Sequence, residues 1–294
     1  MPGKITGRQE FTLVECPRDA MQGWPVFIPT EKKIRYINAL LKVGFDTIDF
    51  GSFVSEKAIP QMADTAKVLS GLDTAATRSA LLAIVANLRG AETAAAYEVI
   101  RYIGFPFSVS PTFQQRNANS TPDAARQTVE KIQELCLRRN KELVVYLSMG
   151  FGNPYGDPWS EEIVMEWAQQ LAAMGIGILS LADTVGLASA IQVKSLTSRL
   201  IASLPEKTIG VHLHAHPGNW MDKLDAAVDA GCRRFDGALK GIGGCPMAGD
   251  DLVGNMDTVN IISRLTEKTG FSGINQSALE EALSLAAVTF VHDH

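Results

Sequence analysis

The 294-residue chain holds no apolar stretch near the ~18 residues that a membrane span needs, and its start, from Met1 to Arg8, lacks the continuous apolar run of a secretory leader. A soluble, cytoplasmic protein with no membrane partner is the expectation. Only four cysteines are present, Cys16, Cys136, Cys232 and Cys245, far apart and without a CxxC pair. That spacing argues against a disulfide framework or a thiolate zinc site, so reduced thiols are expected. There is no excess of positive charge: 27 Lys and Arg residues face 32 Asp and Glu, the net charge is -5, and the basic residues are scattered. Nucleic acid is therefore not an expected partner. No tract rich in Gly, Pro and Ser divides the chain, which predicts one domain over residues 1–294 with residues 270–294 as a C-terminal extension. No GxGxxG follows the first strand pattern, which weighs against an open, doubly wound dinucleotide fold.

What is present is a regular alternation. With 46% hydrophobic residues the chain can bury a sizeable core. Short β-rich runs read as strands at Phe11–Glu15, Asp46–Phe50, Ala80–Ala86, Tyr102–Val109, Leu143–Met149, Gly177–Leu181, Thr208–His214 and Arg234–Leu239. Helical patterns lie between them at Thr30–Val43, Ile59–Leu69, Ala91–Ile100, Pro122–Arg139, Ser160–Met174, Ala188–Leu204 and Trp220–Ala230, then at Asp257–Thr269. Capping chemistry marks some starts: Thr121 precedes Pro122 and Asp123, and Ser160 precedes Glu161 and Glu162. Eight strands joined by crossover helices predict the α/β class and a TIM (β/α)8 barrel. An extra C-terminal helix, Ser277–Val291, either covers the barrel or serves a subunit contact; a homo-oligomer, a dimer in the simplest case, is expected.

Ligands of such a barrel gather where strands end and the following loops begin. Five strand ends here carry polar residues: Arg18, Asp19 and Gln22; Asp49 and Ser52; Asp183 and Thr184; His212 and His214; and Lys240 with the glycine-rich run into Cys245. Side chains two apart on a strand point the same way, so His212 and His214 can share one cation; the ordinary alternative is a pair of hydrogen-bonded core histidines. Asp19 adds an anionic oxygen and Asn255 a neutral amide oxygen, which makes a mixed N/O site suited to a divalent cation, Mg2+ or Mn2+. Arg18 is either a rim ion pair or a fixed charge for a developing enolate. Cys245, in Gly-Ile-Gly-Gly-Cys-Pro, is either a small apolar filler or a thiol that transfers a proton from a loop. The turn-rich Gly150-to-Gly156 loop, with Asn153, reads as a loop over the barrel mouth that can touch a large ligand.

The same segments resemble 3-hydroxy-3-methylglutaryl-CoA lyases. They are Glu15-Cys16-Pro17-Arg18-Asp19-Ala20-Met21-Gln22, Ser52-Phe53-Val54-Ser55, Gly152-Asn153-Pro154-Tyr155, Asp183-Thr184-Val185-Gly186, His212-Leu213-His214 and Gly243-Gly244-Cys245-Pro246. The Ser-Phe-Val-Ser and Gly-Gly-Cys-Pro segments belong to the lyases, while Arg-Asp and His-x-His are shared by the wider superfamily of metal-dependent lyases and Claisen-condensing enzymes. The resemblance implies Asp19, His212, His214 and Asn255 as metal ligands. It implies Arg18 for enolate stabilisation, Cys245 for the proton, Asp183 and Asp49 as further catalytic groups, and Gln22, Arg18 and Asn153 for an acyl-CoA substrate. The implied reaction is retro-Claisen cleavage of 3-hydroxy-3-methylglutaryl-CoA to acetyl-CoA and acetoacetate. The sequence departs from the family at Asp49, where a glutamate is usual, at Val259, where an acid often stands, and at Ala215-His216-Pro217, which replaces Asp-Thr-Tyr.

Competing readings use much of the same chemistry. A longer 3-branched glutaryl-CoA would keep every catalytic part. An isopropylmalate or citramalate synthase would run in the bond-making direction, but such enzymes usually continue into an accessory region, and the expectation from a sequence that ends about 25 residues beyond the eighth βα unit is against them. An aldolase for a 4-hydroxy-2-oxo acid would leave Gly-Gly-Cys-Pro without a task. A barrel that binds metal or acyl-CoA without turnover has no physical need for an arginine and a loop thiol beside the site.

Overall fold

Residues 11–244 and 253–291 are described in a computed structural model of the chain. Eight parallel strands pair in chain order and the last pairs with the first, closing the barrel. They are β1 (Thr12–Glu15), β2 (Thr47–Phe53), β3 (Ala80–Val85), β4 (Ile100–Ser108), β5 (Glu142–Ser148), β6 (Ile178–Ala182), β7 (Thr208–His212) and β8 (Arg234–Gly237). The helices are α1 (Pro17–Gln22), α2 (Thr30–Val43), α3 (Thr65–Ser70), α4 (Leu88–Ala95), α5 (Pro111–Ala118), α6 (Pro122–Arg138), α7 (Glu161–Ala173), α8 (Ala190–Ser203), α9 (Trp220–Asp229), α10 (Thr258–Thr269) and α11 (Gln276–Thr289). The expected α/β TIM barrel with a C-terminal helix is what forms. Among the described residues no helix is long and apolar enough to cross a membrane.

The strands are buried almost throughout because helices cover their outer faces and side chains fill the barrel, which explains the near-continuous apolar runs. A large core lies between strands and helices, and a smaller one, with Leu82, Ile84, Val144, Tyr146 and Ile178, fills the barrel itself. Local caps fix several helix starts. Thr121 and Ser160 accept the backbone N–H of Ala124 and Ile163, and Ser189 forms a reciprocal capping box with Gln192.

Several boundaries differ from the sequence pattern. The helix expected at Ile59–Leu69 divides into a 3-10 turn, Pro60–Met62, and α3, because the Thr65 hydroxyl donates to the Met62 carbonyl and the segment packs tightly on β2 at Gly51. The helix expected at Ala91–Ile100 starts earlier and ends at Ala95, while Ile100 opens β4. Two helices, α1 and α5, lie where loops were expected; each has proline in its first turn. The β7 ladder stops at His212, and β8 gives way after Gly237 to a 3-10 turn, Leu239–Gly241.

The terminal helix covers the outside of the barrel at α2. Phe290 stands edge-on to Trp24 and Tyr36, with ring centroids 5.2 Å and 5.7 Å away. The Asn275 N–H donates to the Val43 carbonyl at 2.9 Å, and Arg78 donates to the Gly273 carbonyl at 2.9 Å.

Candidate active site

Strand β1 delivers the chain straight into α1, a single short helix whose first five residues are all buried. Helical spacing places Arg18 and Gln22 on one face, and Arg18 Nη1 donates to Gln22 Oε1 at 2.9 Å and to Asp19 Oδ1 at 2.9 Å. From β2, Asp49 meets the other side of the same guanidinium: Nε donates to its two oxygens at 3.2 Å and 3.0 Å, and Nη2 donates at 2.5 Å. Burial works against the charge on Arg18, but Asp49 and Asp19 outweigh it and raise its pKa. Burial pushes the Asp49 carboxyl up to about 6 despite Arg18. For Asp19 burial acts in the same upward direction, yet Arg18, His212 and His214 hold it at about 2, so it is a carboxylate.

At the far side of the barrel mouth, His212 ends β7 and His214 sits two residues on, paired in an isolated antiparallel bridge with Asn255. Potential ligand atoms of Asp19, His212 and His214 all lie within 4.8 Å of one another. Asn255 Nδ2 donates to Asp19 Oδ2 at 2.7 Å and to the Ile242 carbonyl at 2.9 Å, while its Oδ1 is buried without a hydrogen-bond partner. An orphaned amide oxygen beside one carboxylate and two imidazoles is a donor set that fits a divalent cation with oxygen preference. Gly243 is required here: a Cβ at that position would stand 2.6 Å from Asn255 Nδ2. Burial, helped by His212, lowers the His214 pKa to about 4, which leaves a neutral ring with a lone pair to offer. Burial also disfavours charge on His212, but its bond to Asp236 prevails and raises its pKa.

Arg18, Asp19, Gln22, His212 and His214 line a cavity of about 860 Å3. Ile84, Pro106, Phe113 and Tyr146 form part of its apolar wall. Asp183 and Asn153 are placed differently. Asp183 is buried, with Oδ2 accepting from Lys223 Nζ at 2.8 Å and Oδ1 from the Ala188 N–H at 3.1 Å. Asn153 works within its own loop: its Oδ1 accepts from the N–H groups of Tyr155 and Asp157, and its Nδ2 donates to the Asp157 carbonyl. Cys245 lies outside the described residues.

Three contributors were not singled out by the sequence pattern. Asp236, on β8, is 3.3 Å from His212 Nδ1. Lys223, on α9, bonds Asp183 and also the His214 and Gly186 carbonyls. Tyr146, on β5, stands edge-on to His212 with ring centroids 5.9 Å apart. Strand alternation is a signal for Asp236, two residues after Arg234; nothing local marks Lys223, which occupies a place on α9 where a solvated lysine is ordinary.

A family model described as HMGL-like matches residues 12–286. Hydroxymethylglutaryl-CoA lyase YngG of Bacillus subtilis is 33% identical over 279 residues, covering 95% of this chain and 91% of that one. The 3-hydroxy-3-isohexenylglutaryl-CoA/hydroxymethylglutaryl-CoA lyase of Pseudomonas aeruginosa is 29% identical over 275 residues, covering 93% of this chain and 91% of the relative. A solved HMG-CoA lyase from Acinetobacter baumannii, in complex with coenzyme A and 3-methylmalate, has a TM-score of 0.89 at 30% identity over 100% of this chain and 94% of that chain.

Proposed function

This chain belongs to the HMGL-like family of carbon–carbon lyases, and on that premise we propose that it cleaves 3-hydroxy-3-methylglutaryl-CoA to acetyl-CoA and acetoacetate by a metal-dependent retro-Claisen reaction. The observation that carries the reading is the convergence of Asp19, His212 and His214, with the orphaned Asn255 oxygen, beside a buried arginine that lines the cavity. Asp19, His212, His214 and Asn255 would hold Mg2+ or Mn2+, which when bound would supply Lewis-acid chemistry to the substrate's oxygens.

The chain's own residues carry the rest. Asp49 and Asp19 clamp Arg18 from two sides, so its charge needs no reorganisation when negative charge develops. In the cleavage the tertiary hydroxyl gives its proton to an aspartate-linked water in the cavity, the bond between C2 and C3 breaks, and the hydroxyl carbon becomes the acetoacetate ketone. The electron pair passes to the thioester enolate, whose oxygen faces Arg18. Cys245 delivers a proton to C2, completing acetyl-CoA. Gln22 donates through Nε2 to Asp19 Oδ1 at 2.8 Å and orients that ligand at the cavity wall. With both of its oxygens held, Asp183 acts as an anchor for the loop after β6 and, through Lys223, for His214. Asn153 shapes its loop and takes part in acyl-CoA binding through that loop.

The test is acetyl-CoA release from 3-hydroxy-3-methylglutaryl-CoA by the purified chain with Mg2+ or Mn2+. Activity that disappears with chelator and in Cys245→Ala is expected; a folded, metal-loaded sample without turnover would overturn the proposal. The apolar cavity wall and the dual specificity named for the Pseudomonas relative favour a second substrate, a longer 3-branched glutaryl-CoA. Comparing kcat/KM for 3-hydroxy-3-isohexenylglutaryl-CoA and the methyl substrate decides between them.

A further inference from the structure

Strands β7 and β8 pair in register, Gly210 with Arg234 and His212 with Asp236. Residues two apart on a strand share a face, so Arg234 and Asp236 stand one above the other in the barrel beneath His212. Gly210 leaves the room: a Cβ there would lie 3.0 Å from Arg234 Cδ. Arg234 and Asp236 are 2% and 3% exposed, too deep for water to screen either charge. Burial opposes the charge on the guanidinium, and Asp236 is the largest of the influences that sustain it. Two further neighbours of this group, Cys16 and Tyr146, are buried and burial raises the pKa of each, so they add no charge. Asp236 is thus a buried acid on the same strand face as Arg234, with Oδ2 3.3 Å from one ring nitrogen of His212 and Oδ1 without a hydrogen-bond partner.

We infer that Asp236 is a positioning residue that holds His212 in the Nδ1–H tautomer and so presents Nε2, with its lone pair, as the ligand nitrogen. The inference rests on the proposed metal site, since it gives His212 its task there. A ring nitrogen that donates to a carboxylate cannot turn over, and the carboxylate also strengthens the opposite nitrogen as a ligand. His214 is held differently, by a hydrogen bond of its ring to the Thr184 backbone, so the carboxylate partner of the ring nitrogen is particular to His212.

Two measurements on the full-length chain test this. Long-range 1H–15N NMR of the metal-free protein at alkaline pH, with the His212 signals assigned by a His212→Asn variant, is expected to show the Nδ1–H form, and Asp236→Ala is expected to lose it. Titration of the chain with Mn2+ is expected to show binding weakened about 10- to 100-fold in Asp236→Ala. A native His212 in the Nε2–H form, or an Asp236→Ala protein that binds Mn2+ as tightly as the native chain, would overturn the inference. A native chain that binds no Mn2+ would instead remove the metal site of the proposed function, while the native NMR spectrum still decides the tautomer. That spectrum needs no Asp236 variant, so the question stays decidable if Asp236→Ala does not fold.

Discussion

Lys223→Met isolates one buried charge whose partners are all defined. Lys223 Nζ donates to Asp183 Oδ2 at 2.8 Å, to the His214 carbonyl at 2.8 Å and to the Gly186 carbonyl at 3.2 Å. Both side chains of the ion pair are nearly sealed from solvent, at 2% and 1% exposure. Methionine fills much of the same volume but leaves Asp183 as an uncompensated buried charge, a change that costs about 3–5 kcal/mol in comparable pairs. At roughly 2–4 °C per kcal/mol for a chain of this size class, the melting temperature should fall by about 6–20 °C. The loss should also depend on pH. Burial already raises the Asp183 pKa in spite of Lys223, and without Lys223 it rises further. A carboxyl raised in the folded state contributes stability below its unfolded pKa of about 3.9 and loses it as pH rises towards the folded value. The deficit of Lys223→Met should therefore be smallest near the unfolded pKa of about 3.9 and grow as pH rises above it. Adding Asp183→Asn, which removes the stranded charge, should recover more than half of it. Thermal and urea unfolding across that range are the assays; a deficit below about 1 kcal/mol that is flat in pH would refute the reasoning.

Glu15 offers a second pH test. It is wholly buried, accepts from the Leu239 N–H at 2.9 Å and the Thr258 hydroxyl at 2.5 Å, and burial raises its pKa to about 8. Its raised value gives stability that is complete below the unfolded pKa of about 4.3 and declines as pH rises towards 8. Against Glu15→Gln, the native chain should lose about 1.4 kcal/mol per pH unit within that window in urea unfolding, whereas parallel profiles would contradict it. For packing, a Cβ at Gly90 would stand 2.3 Å from the Phe53 carbonyl oxygen, whereas one at Gly177 meets nothing within 4 Å. Gly90→Ala should cost about 1–3 kcal/mol or more and Gly177→Ala should stay within about 0.5 kcal/mol, read from paired chemical denaturation curves.

The barrel was legible because its strands are short apolar runs bounded by turns, and burial on both faces demands that pattern. Its polar strand ends were legible for a related reason: a charged residue that closes an apolar run must go to a rim or to a partner. The boundaries were harder. Helix α1 is only six residues long, too short for periodicity to register, although Arg18 and Gln22 already stood at the i,i+4 spacing their hydrogen bond uses. His212 and His214 were read as neighbours on one strand. They meet with ring centroids 5.4 Å apart, but the ladder ends at His212, and His214 is held by its bridge to Asn255 and by Lys223.

What local pattern could not supply is the pairing of elements that only barrel closure brings together. Asn255 and Asp19 are 236 residues apart, yet their side chains are hydrogen-bonded at 2.7 Å because β8 returns to β1. Glu15 receives the Leu239 N–H across the same seam. Lys223 reads from its neighbours as one more polar position on an amphipathic helix, and nothing nearby in sequence says that its ammonium turns inward. A buried lysine is tolerable only where an acid waits for it, and that acid, Asp183, comes from the loop after β6, with α8 and β7 between them in the chain. The site's charges are therefore a property of closure: each is bearable only beside a partner from another strand or helix, so the geometry that permits their burial also assembles the candidate metal site.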